Sequence, residues 1–414
     1  MDVLIRNGRI IDPANGVDQA LDIWVKNGRI SYENNVNPDE IIDANGLLVC
    51  PGLIDAHIHA YQFSTPLGID IDRYCLARGV TCALDAGSAG VGAGTLKGLE
   101  KYVKDACKTR LFALVHIAAH GLASSGCAGD GEGGELDSLN QVDESRCLKA
   151  IHENQEFVKG IKVRLATAIS NGGLNEQEAL RRASRAAERA RAPLMVHHAC
   201  SSISKADVLN YLRKGDLHTH TYNPHASSVL GADGRLLPAV REARKRGVLF
   251  DVGHGMGSFG WRVAEQCIRH GFEPDIISTD LHAENVRGPV YDLATVMTKF
   301  LNLGMTVNNI IKAVTWTPAQ SIGLSKLLGC LSEGRPADIT ILKLENCDIE
   351  LEDSLGEVRR ITKRFRPVKV FLGGIEYPIV ENDGQWPNPL SAARLKEAIK
   401  KMNLPKGEGD DQLV

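Results

Sequence analysis

The sequence predicts an α/β fold, a (β/α)8 TIM barrel with a small β-sandwich-like domain built from both chain ends. Three observations predict it: eight short apolar or β-branched runs from about residue 49 to residue 282, amphipathic stretches between them, and strand texture again at both ends of the chain. Strands alternating with helices make βαβ units and a parallel sheet. Eight such units over about 250 residues match a barrel, and 414 residues are too many for one small core.

In chain order, VLIRNGRIID and LDIWVKNGRIS come first. Both carry Asn-Gly-Arg-Ile, at residues 7–10 and 27–30, and Asn-Gly at hairpin positions predicts two hairpins of a small sheet. Residues 1–50 plus 331–385 are expected to form the small β domain, 51–330 the barrel, and 386–414 a polar C-terminal helix or tail. The barrel strands are expected at LLVCPGLIDAHIH, GVTCALDAG, RLFALVHIAAH, GIKVRLA, APLMVHHA, DLHTHTYN, GVLFDVGHG and PDIISTDLH. Helical patterns separate them, as in residues 176–191 and 261–271, and VNNIIKAVTWTPAQSIGL reads as one more helix. Residues 119–146, rich in Gly, Ser and acids, exceed the usual connection and predict an active-site loop or a mobile excursion.

Composition narrows the function classes. Hydrophobic residues make up 43% and charged residues 24%, as in a soluble globular protein, and a net charge of -3 gives no sign of nucleic acid or a membrane surface as partner. No apolar run approaches the roughly 18 residues of a membrane helix. The start MDVLIRNGRIIDPANG lacks the basic and apolar regions of a secretion signal. The ten cysteines include no Cys-X-X-Cys pair and are expected to be reduced and mostly structural. The expectation is a cytoplasmic protein acting on a small molecule, as a monomer or a homo-oligomer.

Polar residues gather where the strands end. His57 and His59 end the first run, and on a strand residues i and i+2 face one side. Lys162 and Arg164 lie on the fourth, His197 and His198 end the fifth, His218 and His220 lie on the sixth, His254 follows the seventh, and Asp280 and His282 end the eighth. In a barrel these ends surround one mouth. A lone strand-end histidine is more often structural, but convergence from five of eight strands points to a metal site. Histidines with a carboxylate suit zinc and related divalent ions.

In this order the residues resemble the amidohydrolase superfamily. PGLIDAHIH, DAGSAG, GIKVR, PLMVHH, THTYN, GHGMGSF and ISTDLH look like its dihydroorotase-related branch, and look closest to the amidohydrolase/deacetylase-family metallohydrolases. TPAQSIGL and GRPADI extend the resemblance over nearly the whole chain. It implies two divalent metal ions, with zinc the expected metal. His57 and His59 would bind the more buried ion, a CO2-derived carbamate on Lys162 would bridge both, and His197 and His220 would bind the second. Asp280 would bind the buried ion and act as catalytic proton shuttle. Lys159 competes with Lys162 but, three positions away, faces the opposite side of the strand. His198 has the wrong parity relative to His197, and His218 shares the parity of His220 but lies deeper.

The resemblance implies hydrolysis of an amide or ester through a metal-bridging hydroxide. The favoured reaction is deacylation of a small N-acyl amino acid or O-acyl hydroxy acid. The alternative is ring opening of a cyclic amide, as in dihydroorotase- or hydantoinase-like enzymes. Deamination or decarboxylation fits a bridging carbamate less well, and a noncatalytic relative would be expected to lose ligands that are all present here. Arg164 could fork onto a substrate carboxylate or form a structural ion pair. His254 and His282 are candidate substrate contacts. Ser88, with Gly87 and Gly90, could offer backbone donors or simply form a tight turn. His116, His120, Tyr222, Asn223 and Arg287 are lesser candidates.

Overall fold

A computed structural model describes residues 2–33, 37–92, 94–124 and 133–382. The predicted C-terminal helix or tail, residues 386–414, lies outside them. In chain order the strands are β1 (Val3–Asp12), β2 (Val17–Lys26), β3 (Arg29–Ser31), β4 (Glu40–Asp43), β5 (Leu48–Pro51), β6 (Leu53–Ile58), β7 (Val80–Gly90), β8 (Arg110–His116), β9 (Val158–Leu165), β10 (Leu194–His198), β11 (Leu217–Thr219), β12 (Leu249–Phe250), β13 (Ile339–Glu352), β14 (Val358–Leu372) and β15 (Ile375–Tyr377).

β6 to β12 form a seven-stranded parallel sheet in consecutive order. Intervening helices cover it, such as Glu176–Ala190, which buries Ala179, Leu180, Ala183, Ala186 and Ala187. The predicted eighth strand, PDIISTDLH, forms no ladder. It makes single parallel bridges from Ile276 to Asp251 and from Leu281 to Ile58, so it runs between β12 and β6. The cause is local. Asp280 adopts a left-handed backbone with φ 52°. The Thr279 N–H donates to the Asp55 side chain at 3.1 Å instead of to a neighbouring strand. The one helix predicted at VNNIIKAVTWTPAQSIGL is two, Val307–Ala313 and Trp316–Ser321, broken where Thr315 leaves helical geometry at φ -135°.

Both chain ends join one continuous eight-stranded sheet, in the order β15-β14-β13-β5-β1-β2-β3 with β4 on β1, where a sandwich-like pair of layers is predicted. Its core holds Val3, Ile5, Ile10, Val49, Ile339 and Phe371. Asn27-Gly28 makes the expected two-residue turn between β2 and β3. Asn7-Gly8 does not make a turn. It forms a bulge inside β1, with Asn7 at φ 62°. A Cβ on Gly8 would come within 2.6 Å of Val49 Cγ2, so close packing against β5 is what requires glycine there.

None of the nine described cysteines is in a disulfide. Among the described residues no helix is long and apolar enough to cross a membrane.

Candidate metal centre

His57 lies on β6, and His59 lies just past its end. The Asp280 turn brings Oδ1 to 3.0 Å from His59 Nε2 and 3.2 Å from His57 Nε2. One ligand atom from each of the three lies within 4.8 Å of the others. Lys162 Nζ, from β9, is 3.1 Å from His57 Nε2 and 3.3 Å from Met195 Sδ. The His197 and His220 rings are 4.1 Å apart, and His220 is 5.2 Å from His57. The six residues named as ligands from sequence therefore form one connected, mostly buried cluster.

A network behind the imidazoles sets their orientation. His57 Nδ1 is 3.0 Å from Thr219 Oγ1, whose own proton goes to Asp251 Oδ2 at 2.6 Å. The Ser278 hydroxyl donates to the other Asp251 oxygen at 2.6 Å. The Thr219 hydroxyl therefore accepts from His57 Nδ1–H, which leaves Nε2 as a lone pair directed into the cluster. His220 Nδ1 donates to Gly253 O at 2.7 Å. Its Nε2 is buried with no hydrogen-bond partner among the described residues. A converging His-His-Asp set and an orphaned imidazole acceptor fit divalent cations.

Burial pushes His57 and His197 well below the ordinary imidazole value and His220 down to about 3, so all three are neutral donors near pH 7. Burial pushes the Lys162 amine down to about 7 against the opposing pull of Asp280. Burial alone would raise Asp280, but the hydrogen bond with His59 holds its carboxyl well below the usual carboxylate range.

His220 enters the cluster by backbone geometry, not by strand parity. On β11 the residue facing the cluster is Thr219. His218 points outward, where its Nε2 accepts from buried Lys205 at 2.7 Å. A left-handed turn at His220, φ 60°, brings that ring inward. Left-handed backbone at a non-glycine residue is uncommon and clusters at functional sites. His198 donates to Ile203 O at 3.0 Å, and Lys159 to Gln155 O at 2.8 Å, so both point elsewhere.

The remaining candidates divide. Ser88 sits at the cluster, but its hydroxyl lies 3.1 Å from His59 Nδ1 and its N–H is taken by Asp85 Oδ1 at 2.7 Å, so no free backbone donor is offered there. Gly87, at φ 92°, makes room for Lys162, whose Cβ would lie 2.8 Å from an added Cβ. The His282 ring is 6.4 Å from the His59 ring, and burial pushes it down to about 4. His254 stacks on Phe259, donates from Nδ1 to Gly255 O at 2.9 Å and accepts at Nε2 from buried Lys299 at 2.8 Å, so both its nitrogens are engaged. Arg164 Nη1 lies 3.2 Å from Glu135, and His116 is buried beside the same carboxylate. Tyr222 donates to Phe272 O at 3.1 Å, and Asn223 braces the His220 carbonyl at 2.8 Å. His120 and Arg287 are exposed.

Thr219, Asp251, Ser278 and Glu135 were missed from sequence. A usable signal existed: acids and hydroxyls inside otherwise apolar runs, as in GVLFDVGHG, are rare unless they are paired.

The sequence profile of the amidohydrolase family matches residues 48–376. A deacetylase of Brucella anthropi is 34% identical over 362 residues, 86% of this chain and 87% of that protein. A crystal structure of an adenine deaminase superposes with a TM-score of 0.82 at 31% identity, covering 91% of this chain and 99% of that one. A dihydroorotase structure gives the same TM-score of 0.82 at 29% identity, covering 91% and 98%.

Proposed function

The chain belongs to the amidohydrolase family, and from that premise we propose that it is a binuclear metal-dependent hydrolase that deacylates a small N-acyl amino acid or O-acyl hydroxy acid. We assign the site to the barrel, the described residues of 51–330, and the accompanying β domain to the described residues of 1–50 and 331–385. His57, His59 and Asp280 would hold one ion and His197 and His220 the other, with zinc the metal the donor set suits. When bound, the ions supply Lewis-acid polarisation of the scissile carbonyl and acidification of water.

The chain's own groups do the rest. Lys162, pushed down to about 7, is substantially uncharged near neutrality. Its lone pair can form an N–C bond to CO2 with loss of a proton, giving a carbamate with anionic oxygens where an amine has none. Asp280, an ionised carboxylate beside both His57 and His59, takes a proton from water and returns it to the leaving amine or alkoxide. Thr219 and Asp251 hold His57 in its ligating tautomer. Asp251→Asn is therefore expected to weaken metal affinity about 10- to 100-fold, read by competition with a chromogenic chelator.

The observation that carries the reading is the convergence of His57, His59 and Asp280 within 4.8 Å, with the unpartnered His220 Nε2 alongside. The name of the Brucella anthropi relative supports deacylation. Ring opening of a cyclic amide is the second reading, favoured by the dihydroorotase likeness. The test is hydrolysis by zinc-loaded protein purified with bicarbonate. The panel contains N-acyl amino acids, O-acyl hydroxy acids, dihydroorotate, hydantoins and adenine. Turnover of the acyl compounds alone is expected. Turnover of only the cyclic amides would move the protein to the second reading, and turnover of adenine alone would overturn both.

A further inference from the structure

We propose that Glu135, Arg164 and His116 form a specificity subsite beside the metal cluster that takes a carboxamide arm of the substrate in preference to a carboxylate. The proposal rests on the deacylation reading and specifies its substrate. Position comes first. Arg164 lies two residues beyond Lys162 on β9, hence on the same face. His116 ends β8 in register with Lys162. Glu135 reaches both from the long connection after β8, and the Glu135 and His116 side chains are fully buried.

Hydrogen-bonding capacity on His116 and Glu135 is unused among the described residues. His116 Nδ1 accepts from the Ala118 N–H at 3.0 Å, so in the neutral ring the proton is on Nε2. That Nε2–H has no partner among the described residues and lies 3.8 Å from Glu135 Oε1, too far for a hydrogen bond. Among the described residues neither Glu135 oxygen accepts a hydrogen bond, although Oε1 is 3.2 Å from Arg164 Nη1. Buried, unpaired donors and acceptors are costly and rare, and a ligand that satisfies them recovers that cost.

The charges select among ligands. Glu135 already compensates Arg164. A substrate carboxylate would meet a second carboxylate, and an ammonium would meet the guanidinium. A primary carboxamide avoids both: its carbonyl accepts from His116 Nε2–H and its NH2 donates to Glu135. This revises the simple reading of Arg164 as an open carboxylate anchor.

The test is calorimetric binding to zinc-loaded protein of two matched pairs, N-acetylglycinamide with N-acetylglycine and N-acetylglutamine with N-acetylglutamate. Wild type, Glu135→Gln and Glu135→Ala are compared, with turnover recorded in parallel. Wild type is expected to favour the amide of at least one pair by about tenfold or more, because a site built to hydrogen-bond a group rejects analogues that cannot reciprocate. Either variant is expected to erase or invert that ratio. Acid preference in wild type, an unchanged ratio in both variants, or no binding of any of the four compounds would overturn the subsite. Selective binding of the amides without their hydrolysis would leave the subsite standing and count against deacylation.

Discussion

Asp280→Asn is expected to lower kcat by about 10²- to 10⁴-fold, the range for losing a positioned proton-transfer group. The substitution keeps shape and removes basicity. The backbone hydrogen bonds that hold the turn remain, from Asp280 N to His57 O at 2.7 Å and from Asn285 Nδ2 to Asp280 O at 2.8 Å. The fold and the His57–His59 pair should therefore persist, which circular dichroism and the melting temperature will report. An amide oxygen still coordinates but cannot take and return a proton, so the loss should fall on kcat more than on KM. Equal activity in Asp280→Asn and wild type would remove Asp280 from the chemistry.

Lys162→Gln is expected to cost about 10³-fold in kcat/KM, roughly 4 kcal/mol of transition-state stabilisation, and to reduce bound metal from two ions per chain to one or none. Lys162 is fully buried, and its amine touches His57 and Met195. Glutamine fits the space but cannot carry a carbamate. Added acetate or propionate, which can place carboxylate oxygens near the vacated position, should restore part of the activity of Lys162→Ala. Full activity and full metal content in Lys162→Gln would show that no bridging group is needed there.

The parts of the site that were legible are those where chemistry uses few residue types at short spacing. His57 and His59 are readable because strand parity puts i and i+2 on one face, and Lys162 separates from Lys159 by the same rule. His220 and Asp280 were picked out by resemblance, and parity does not explain them. Each turns into the cluster through a left-handed residue, at φ 60° and 52°, that no period-two pattern encodes. The eighth segment around that turn keeps single bridges to Asp251 and Ile58 in place of a regular ladder. The Thr219–Asp251–Ser278 chain joins residues from three separate segments. Glu135 meets Arg164 from a connection whose tertiary path local pattern does not carry. Asn-Gly at residues 7–8 shows the same limit at the level of the fold. The dipeptide asks for a tight turn, and packing against Val49 makes it a bulge.

Metal content tests the proposed two-metal centre and its six side chains. Protein purified with excess zinc and bicarbonate, then gel-filtered into metal-free buffer, should retain two zinc ions per chain by plasma mass spectrometry. Lys162→Gln should retain fewer than wild type, and Asp280→Asn should retain both. Retention of one ion or none by wild type would rule out a two-metal centre.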